Sequence, residues 1–262
     1  MKSLSQLHHF LLDMDGTLYL GDGLINGAAA FIAHLRESGR GVLFFTNNPT
    51  SDAAAYAAKL NKLGIDAAPG DVLTAGAATI RYLLDETPYR RLYPLAAPSY
   101  EAELRAAGLT LDADAPEAVL LSFDTSLTYE KLVRAADLLR AGLPYIATNP
   151  DKVCPTATGS VPDCGAIAAL LEAATGRSPK YIGKPSPEMV RMGLARLGAE
   201  PHETAMVGDR LYTDIAMAHD SGITGILVLS GESRREDVEG AAFKPDFVFE
   251  SVADLLTALQ ED

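Results

Sequence analysis

Asp13 and Asp15 stand two residues apart at the end of a short apolar run, Phe10-Leu11-Leu12, with Gly16-Thr17 immediately after them. A run of this length closed by glycine reads as a buried strand leading into a turn. Side chains alternate along a strand, so both carboxylates can leave its end in one direction while Met14 points the other way. Converging carboxylates repel each other unless a proton or a cation lies between them. The pair therefore reads as a chemical site, with an ordinary Asp-Gly turn as the plainer alternative.

Three later strand ends carry polar groups of related use. Gly41-Val42-Leu43-Phe44-Phe45 runs into Thr46-Asn47-Asn48, whose hydroxyl, amides and peptide N–H groups suit phosphoryl oxygens. Lys184 follows Gly183, and the prolines at 185 and 187 mark the start of a helix. Ala205-Met206-Val207-Gly208 ends in Asp209, and Asp214 follows five positions later, near a predicted helix start where an N-cap role competes. Ligands of α/β proteins gather beyond the carboxyl ends of the strands, and all four sets fall there.

The elements that must position these groups alternate along the chain as in an α/β protein with a mainly parallel sheet. Strands are predicted over 10–12, 41–45, 204–207, 225–229 and 246–249. Helices are predicted over 28–38, 187–197 and 213–219, and the Ala-rich stretch 52–58 is a good helix former. The middle has its own alternation: strands over 91–96, 118–123 and 145–148, and helices from Ser99, over 129–140 and over 166–174. Residues 77–181 accordingly read as an inserted α/β domain, leaving 1–76 and 182–262 as the core.

The chain has 262 residues and a net charge of -13, which argues against electrostatic binding to nucleic acid or to an anionic membrane. A small phosphorylated molecule remains compatible, because a metal and a few local cations override a distant field. Cys154 and Cys164 lack the spacing of a zinc or redox motif and read as reduced thiols, which makes a cytoplasmic protein the expectation. No leader peptide is expected after the lone positive charge of Lys2, and no run is long enough to span a membrane. His8-His9 invites a metal hypothesis, but the remaining histidines, His34, His202 and His219, show no paired helical spacing.

Taken jointly and in order, the four strand ends resemble the motif set of the haloacid dehalogenase (HAD) superfamily. Further stretches resemble its NagD-type phosphatases: Tyr145-Ile146-Ala147-Thr148-Asn149-Pro150-Asp151, Pro162-Asp163-Cys164-Gly165-Ala166, Gly176-Arg177, Gly183-Lys184-Pro185-Ser186-Pro187 and Leu227-Val228-Leu229-Ser230-Gly231. The resemblance departs after two middle strands, where Ala96 or Ala97, and Ser122, occupy places usually held by glycine. It implies a HAD-like Rossmannoid core with an inserted α/β cap of type C2. It also implies a Mg²⁺-dependent phosphomonoester hydrolase for small metabolites such as nucleoside monophosphates or sugar phosphates.

On this resemblance Asp13 is the nucleophile and Asp15 the acid/base. Mg²⁺ is held by Asp13, Asp209 and the carbonyl of Asp15, with Asp214 in support. Thr46, Asn47 and Lys184 bind the phosphoryl group. The cap closes over the site and brings Asn149 and Asp151 toward the leaving group. A haloacid dehalogenase is the rival least favoured by Asp15, since that reaction needs no second acid. A phosphoglucomutase-like phosphotransferase and a catalytically silent metabolite-binding module are the other rivals. No assembly state is implied.

Overall fold

The computed structural model describes residues 3–49, 51–156 and 159–261. Its strands are β1 (His9–Asp13), β2 (Tyr19–Leu20), β3 (Gly23–Leu24), β4 (Gly41–Thr46), β5 (Val72–Thr74), β6 (Arg91–Leu95), β7 (Thr110–Leu111), β8 (Ala118–Leu121), β9 (Tyr145–Ala147), β10 (Val153–Thr156), β11 (Gly159–Pro162), β12 (Lys180–Tyr181), β13 (Thr204–Gly208), β14 (Thr224–Val228) and β15 (Phe247–Phe249). Its helices are α1 (Ala28–Glu37), α2 (Ala53–Lys62), α3 (Ala75–Glu86), α4 (Pro98–Ala106), α5 (Tyr129–Arg140), α6 (Cys164–Thr175), α7 (Pro187–Leu197), α8 (Ala216–Ser221), α9 (Arg235–Gly240) and α10 (Val252–Glu261). They form two units. The first comprises Met1–Thr46, Ala53–Leu73 and Pro185–Asp262, and the second Asn47–Asp52 and Thr74–Lys184.

The first unit is built on a six-stranded sheet in the order β15-β14-β13-β1-β4-β5. Phe10, Leu11 and Leu12 of β1 are all fully buried, because a parallel sheet covered on both faces leaves no side for polar residues. That explains why β1 reads as a continuous apolar run rather than an alternation. Helix α1 buries Ala28, Phe31, Ile32 and Leu35, the spacing of one helical face. Phe31 meets Phe10 edge to face, with ring centroids 6.3 Å apart. Burying each such side chain contributes about 1.5–3 kcal/mol. Helix α7 approaches β4 at Gly193, where a Cβ would lie 2.6 Å from the Phe45 ring.

Strand register decides what reaches the sheet edge. Leu12 is level with Phe44 and with Val207, and Asp13 is level with Phe45. Asp13, Thr46 and Asp209 therefore emerge at the same carboxyl-terminal edge, Thr46 and Asp209 one residue beyond Asp13.

The second unit carries a five-stranded parallel sheet in the order β12-β9-β8-β6-β7 and an antiparallel hairpin of β10 and β11. Its core joins Leu95, Val119, Leu121 and Ala147 of the sheet to Leu139 of α5 and Leu171 of α6. Thr128 caps α5 by accepting from the Lys131 N–H, and Asp163 caps α6 by accepting from the Cys164 N–H. Helix α6 stops at Gly176, which takes the left-handed φ of +69°. At the glycine-replacing positions, Ser122 is buried and its hydroxyl accepts from Thr148 Oγ1 at 3.3 Å. Ala97 N–H donates to the Phe123 carbonyl.

The predicted helix over 213–219 is corrected. Leu211–Ile215 is a π-helical turn, and α8 begins only at Ala216. The Ile215 N–H donates to the Arg210 carbonyl five residues back, which widens the turn. Helices α3, α9 and α10 and the short strands β2, β3, β5, β7, β10, β11 and β12 were not expected from the sequence. Most are two or three residues long, or lack a clean apolar period. No helix among the described residues is long and apolar enough to cross a membrane.

Candidate active site

Beyond β1 the chain turns sharply. Gly16 adopts φ +87°, a left-handed conformation that side chains rarely tolerate, and its N–H donates to the Tyr19 carbonyl at 2.8 Å. This turn leaves Asp13 buried at the strand end and Asp15 exposed. Thr17, fully buried, donates from Oγ1 to Asp13 Oδ2 at 3.4 Å. Surrounding protein raises the pKa of Asp15 by desolvation, and the charges of Lys59 and Arg210 offset part of that. Lys59 Nζ is held 3.9 Å above the Tyr19 ring. Desolvation favours the protonated form of a carboxyl, the form that a general acid needs.

Asp209 follows β13, and Asp214 lies in the π-helical turn, both buried. Asp214 does not cap α8, as the N-cap alternative would have it. Its Oδ2 accepts the Arg210 N–H at 3.1 Å instead, and Gly208 leaves space for its carboxylate where a Cβ would collide. Oxygens of Asp13, Asp209 and Asp214 lie within 4.8 Å of one another, forming the single cluster of three candidate metal-ligating residues among the described residues. Desolvation first, then the Asp13 and Asp214 charges, push the pKa of Asp209 well above the carboxylate range. Its Oδ1 is buried and accepts no hydrogen bond among the described residues. Crowded hard oxygens with one buried acceptor left over fit a small divalent cation, which would relieve the repulsion.

Thr46 is buried at the end of β4 in the first unit. The other predicted phosphate ligands belong to the second. Asn47 and Lys184 are both buried and form a two-point link across 137 residues of sequence. Asn47 Nδ2 donates to the Lys184 carbonyl at 2.9 Å, and the Lys184 N–H donates to Asn47 Oδ1 at 2.7 Å. Asn149, fully buried, donates from Nδ2 to the Asn47 carbonyl and to Thr148 Oγ1, and accepts the Asp151 N–H. Its amide is thus spent on holding Asn47 and Asp151 in position, a role the sequence reading did not assign. Asp151 is partly buried, and its carbonyl accepts the Gly165 N–H at 2.8 Å. Gly165 carries no Cβ because the Pro150 carbonyl occupies that space.

Sequence reading assigned no role to Thr17, or to the loop after β14. Thr17 was adjacent to the acid pair and could have been found there. The Ser230-Gly231 end of the NagD-like stretch marked the loop, but its contact with Asp209 arises only when β13 pairs with β14. His9 is 3.5 Å from Glu203 and packs on Gly41, a structural setting, and neither cysteine is in a disulfide.

Residues 10–110 match the family described as haloacid dehalogenase-like hydrolase, and residues 181–255 match the HAD-hydrolase-like family. The chain is 36% identical over 259 residues to an acid sugar phosphatase of Staphylococcus aureus, covering 98% of this chain and 100% of that one. A 4-nitrophenylphosphatase from Thermotoga maritima is similar in structure at TM-score 0.93 and 43% identity, over 98% of this chain and 99% of that one. NagD from Escherichia coli follows at TM-score 0.89 and 31% identity, over 97% and 98%. With its parallel α/β core and its acid cluster at the sheet edge, the chain belongs to the haloacid dehalogenase-like hydrolases and is a phosphatase of the NagD type.

Proposed function

We propose that this phosphatase is a Mg²⁺-dependent hydrolase of small phosphate monoesters, sugar phosphates foremost, working through a phosphoryl group carried on Asp13. The observation that carries the reading is the cluster of Asp13, Asp209 and Asp214 beside the exposed Asp15. The named activity of the Staphylococcus aureus relative supports the sugar phosphate preference.

Asp13, Asp209 and the Asp15 carbonyl would hold the cation, with Asp214 behind them. When bound, Mg²⁺ supplies positive charge that offsets the repulsion between these acids and the phosphoryl oxygens. Thr17 Oγ1 donates to Asp13 Oδ2 and so helps hold the nucleophile at the strand end. Attack by Asp13 forms an acyl phosphate as the ester P–O bond breaks, and Asp15 gives its proton to the departing alkoxide. Asp15 then takes a proton from water, whose oxygen attacks phosphorus and releases phosphate with Asp13 restored. Thr46, Asn47 and Lys184 bind phosphoryl oxygens, Lys184 adding the charge that steadies the transferring group. The second unit acts as the cap, with Asp151 reading the leaving group and Asn149 positioning it.

A phosphate-release screen over sugar phosphates, nucleoside monophosphates and 4-nitrophenyl phosphate, with Mg²⁺ or with EDTA, tests this. Turnover is expected with Mg²⁺ alone, and Asp13→Asn should abolish it while wild type yields a phosphorylated protein on rapid quench. Full activity in EDTA, or near wild-type turnover by Asp13→Asn, would refute it.

A further inference from the structure

The loop after β14 surrounds Asp209 more closely than packing alone requires. The Glu232 N–H donates to Asp209 Oδ2 at 2.7 Å, and the Ser233 N–H donates to the Asp209 carbonyl at 3.1 Å. Gly231 lies against the same Oδ2, so close that a Cβ there would collide with it, and Gly16 crowds that oxygen as well. The loop is itself anchored at three points. Ser230 donates from Oγ to the Gly16 carbonyl at 2.8 Å, and Ser233 Oγ accepts the Leu211 N–H at 3.3 Å. The Glu232 carboxylate pairs with Arg210 at 3.0 Å and accepts the Tyr212 hydroxyl at 2.8 Å.

We infer that residues 230–233 are a positioning element that selects which oxygen of Asp209 binds the cation. This rests on the Mg²⁺ reading proposed above. A carboxylate has two equivalent oxygens and rotates freely unless something tells them apart. Here one oxygen is occupied by a peptide N–H and closely approached by two glycines, while Oδ1 is buried and accepts no hydrogen bond among the described residues. The loop thereby commits Oδ2 to the protein and leaves Oδ1 for the metal. A preset donor avoids the ordering cost of orienting the carboxylate at each binding event. The anchor to Gly16 makes the same loop brace the turn that carries Asp15.

Gly231→Ala tests this, because its added methyl must displace either the carboxylate or the loop. Losing a hydrogen bond to a charged group corresponds to about a tenfold to hundredfold loss of affinity. Calorimetric titration of the metal-free protein with MgCl₂ should show that loss, and melting in EDTA should show the variant folded. The rise in melting temperature on adding Mg²⁺ should shrink in parallel. Ser230→Ala with Glu232→Ala removes two anchors without adding bulk, and should weaken binding by about fivefold. That double variant decides the matter if Gly231→Ala does not fold. Asp209→Asn is the reference, expected to bind Mg²⁺ far more weakly. If Asp209→Asn binds like wild type, the metal assignment itself falls. If it loses binding while the loop variants bind as wild type does, only the positioning role is overturned.

Discussion

Gly183→Ala should damage both stability and substrate binding, and the structure sets the size. A Cβ at position 183 would lie 2.6 Å from the Thr148 carbonyl oxygen, 2.7 Å from Asn47 Oδ1 and 2.8 Å from the Ala75 Cβ. None of these is the free end of a flexible chain, so the backbone must shift. The shift strains the 2.7 Å bond from the Gly183 N–H to the Thr148 carbonyl and both bonds linking Asn47 to Lys184. Losing one or two such bonds costs about 1–3 kcal/mol. Overpacking adds about 1–3 kcal/mol. At about 2–4 °C per kcal/mol for a protein of this size, the melting temperature should fall by roughly 4–24 °C. Because Asn47 and Lys184 are the proposed phosphate ligands, KM for 4-nitrophenyl phosphate should rise as well, at temperatures where the variant is folded. Circular dichroism melting and steady-state kinetics read the two effects. A variant that melts within about 2 °C of wild type with unchanged KM would refute the argument that this glycine sets the Asn47–Lys184 geometry.

Asp15→Asn should lower kcat by about 10²–10⁴-fold, the usual worth of a positioned general acid. The loss should be smaller for aryl than for alkyl phosphates when the first step limits, and equal losses would count against Asp15 as the acid. Glu103 is partly buried, and desolvation, with the Asp52 charge adding to it, raises its pKa from 4.5 to about 7. The folded state therefore holds that proton more tightly than the unfolded chain, and stability should fall as pH rises from 4.5 to about 7, then level off. Discounted for solvent screening of a partly exposed group, the cost is about 1 kcal/mol. Glu103→Gln should remove this slope and stabilise the protein at pH 8, as urea unfolding at several pH values would show; an unchanged slope would refute it.

The strands and acids of the core were legible in the sequence because each motif is local. An apolar run such as Phe10–Leu12 has few ways to be buried, and the residues just beyond it must emerge at its end. Pro187–Leu197 and Tyr129–Arg140 are helices as the sequence predicts, since proline at the start of one and threonine before the other mark where they begin. Asp214 was visible as an acid, but its place in a widened π-helical turn was not, because that turn depends on bonds back to Arg210. Asn149 could be read as a polar turn residue, while its commitment to Asn47 joins residues 102 apart. The loop at 230–233 reaches Asp209 only after β13 and β14 pair. Side-chain type and order are properties of the chain and can be read from it. Which oxygen of a carboxylate is free, and which amide is already spent, is settled by hydrogen bonds between segments that meet only in the folded state.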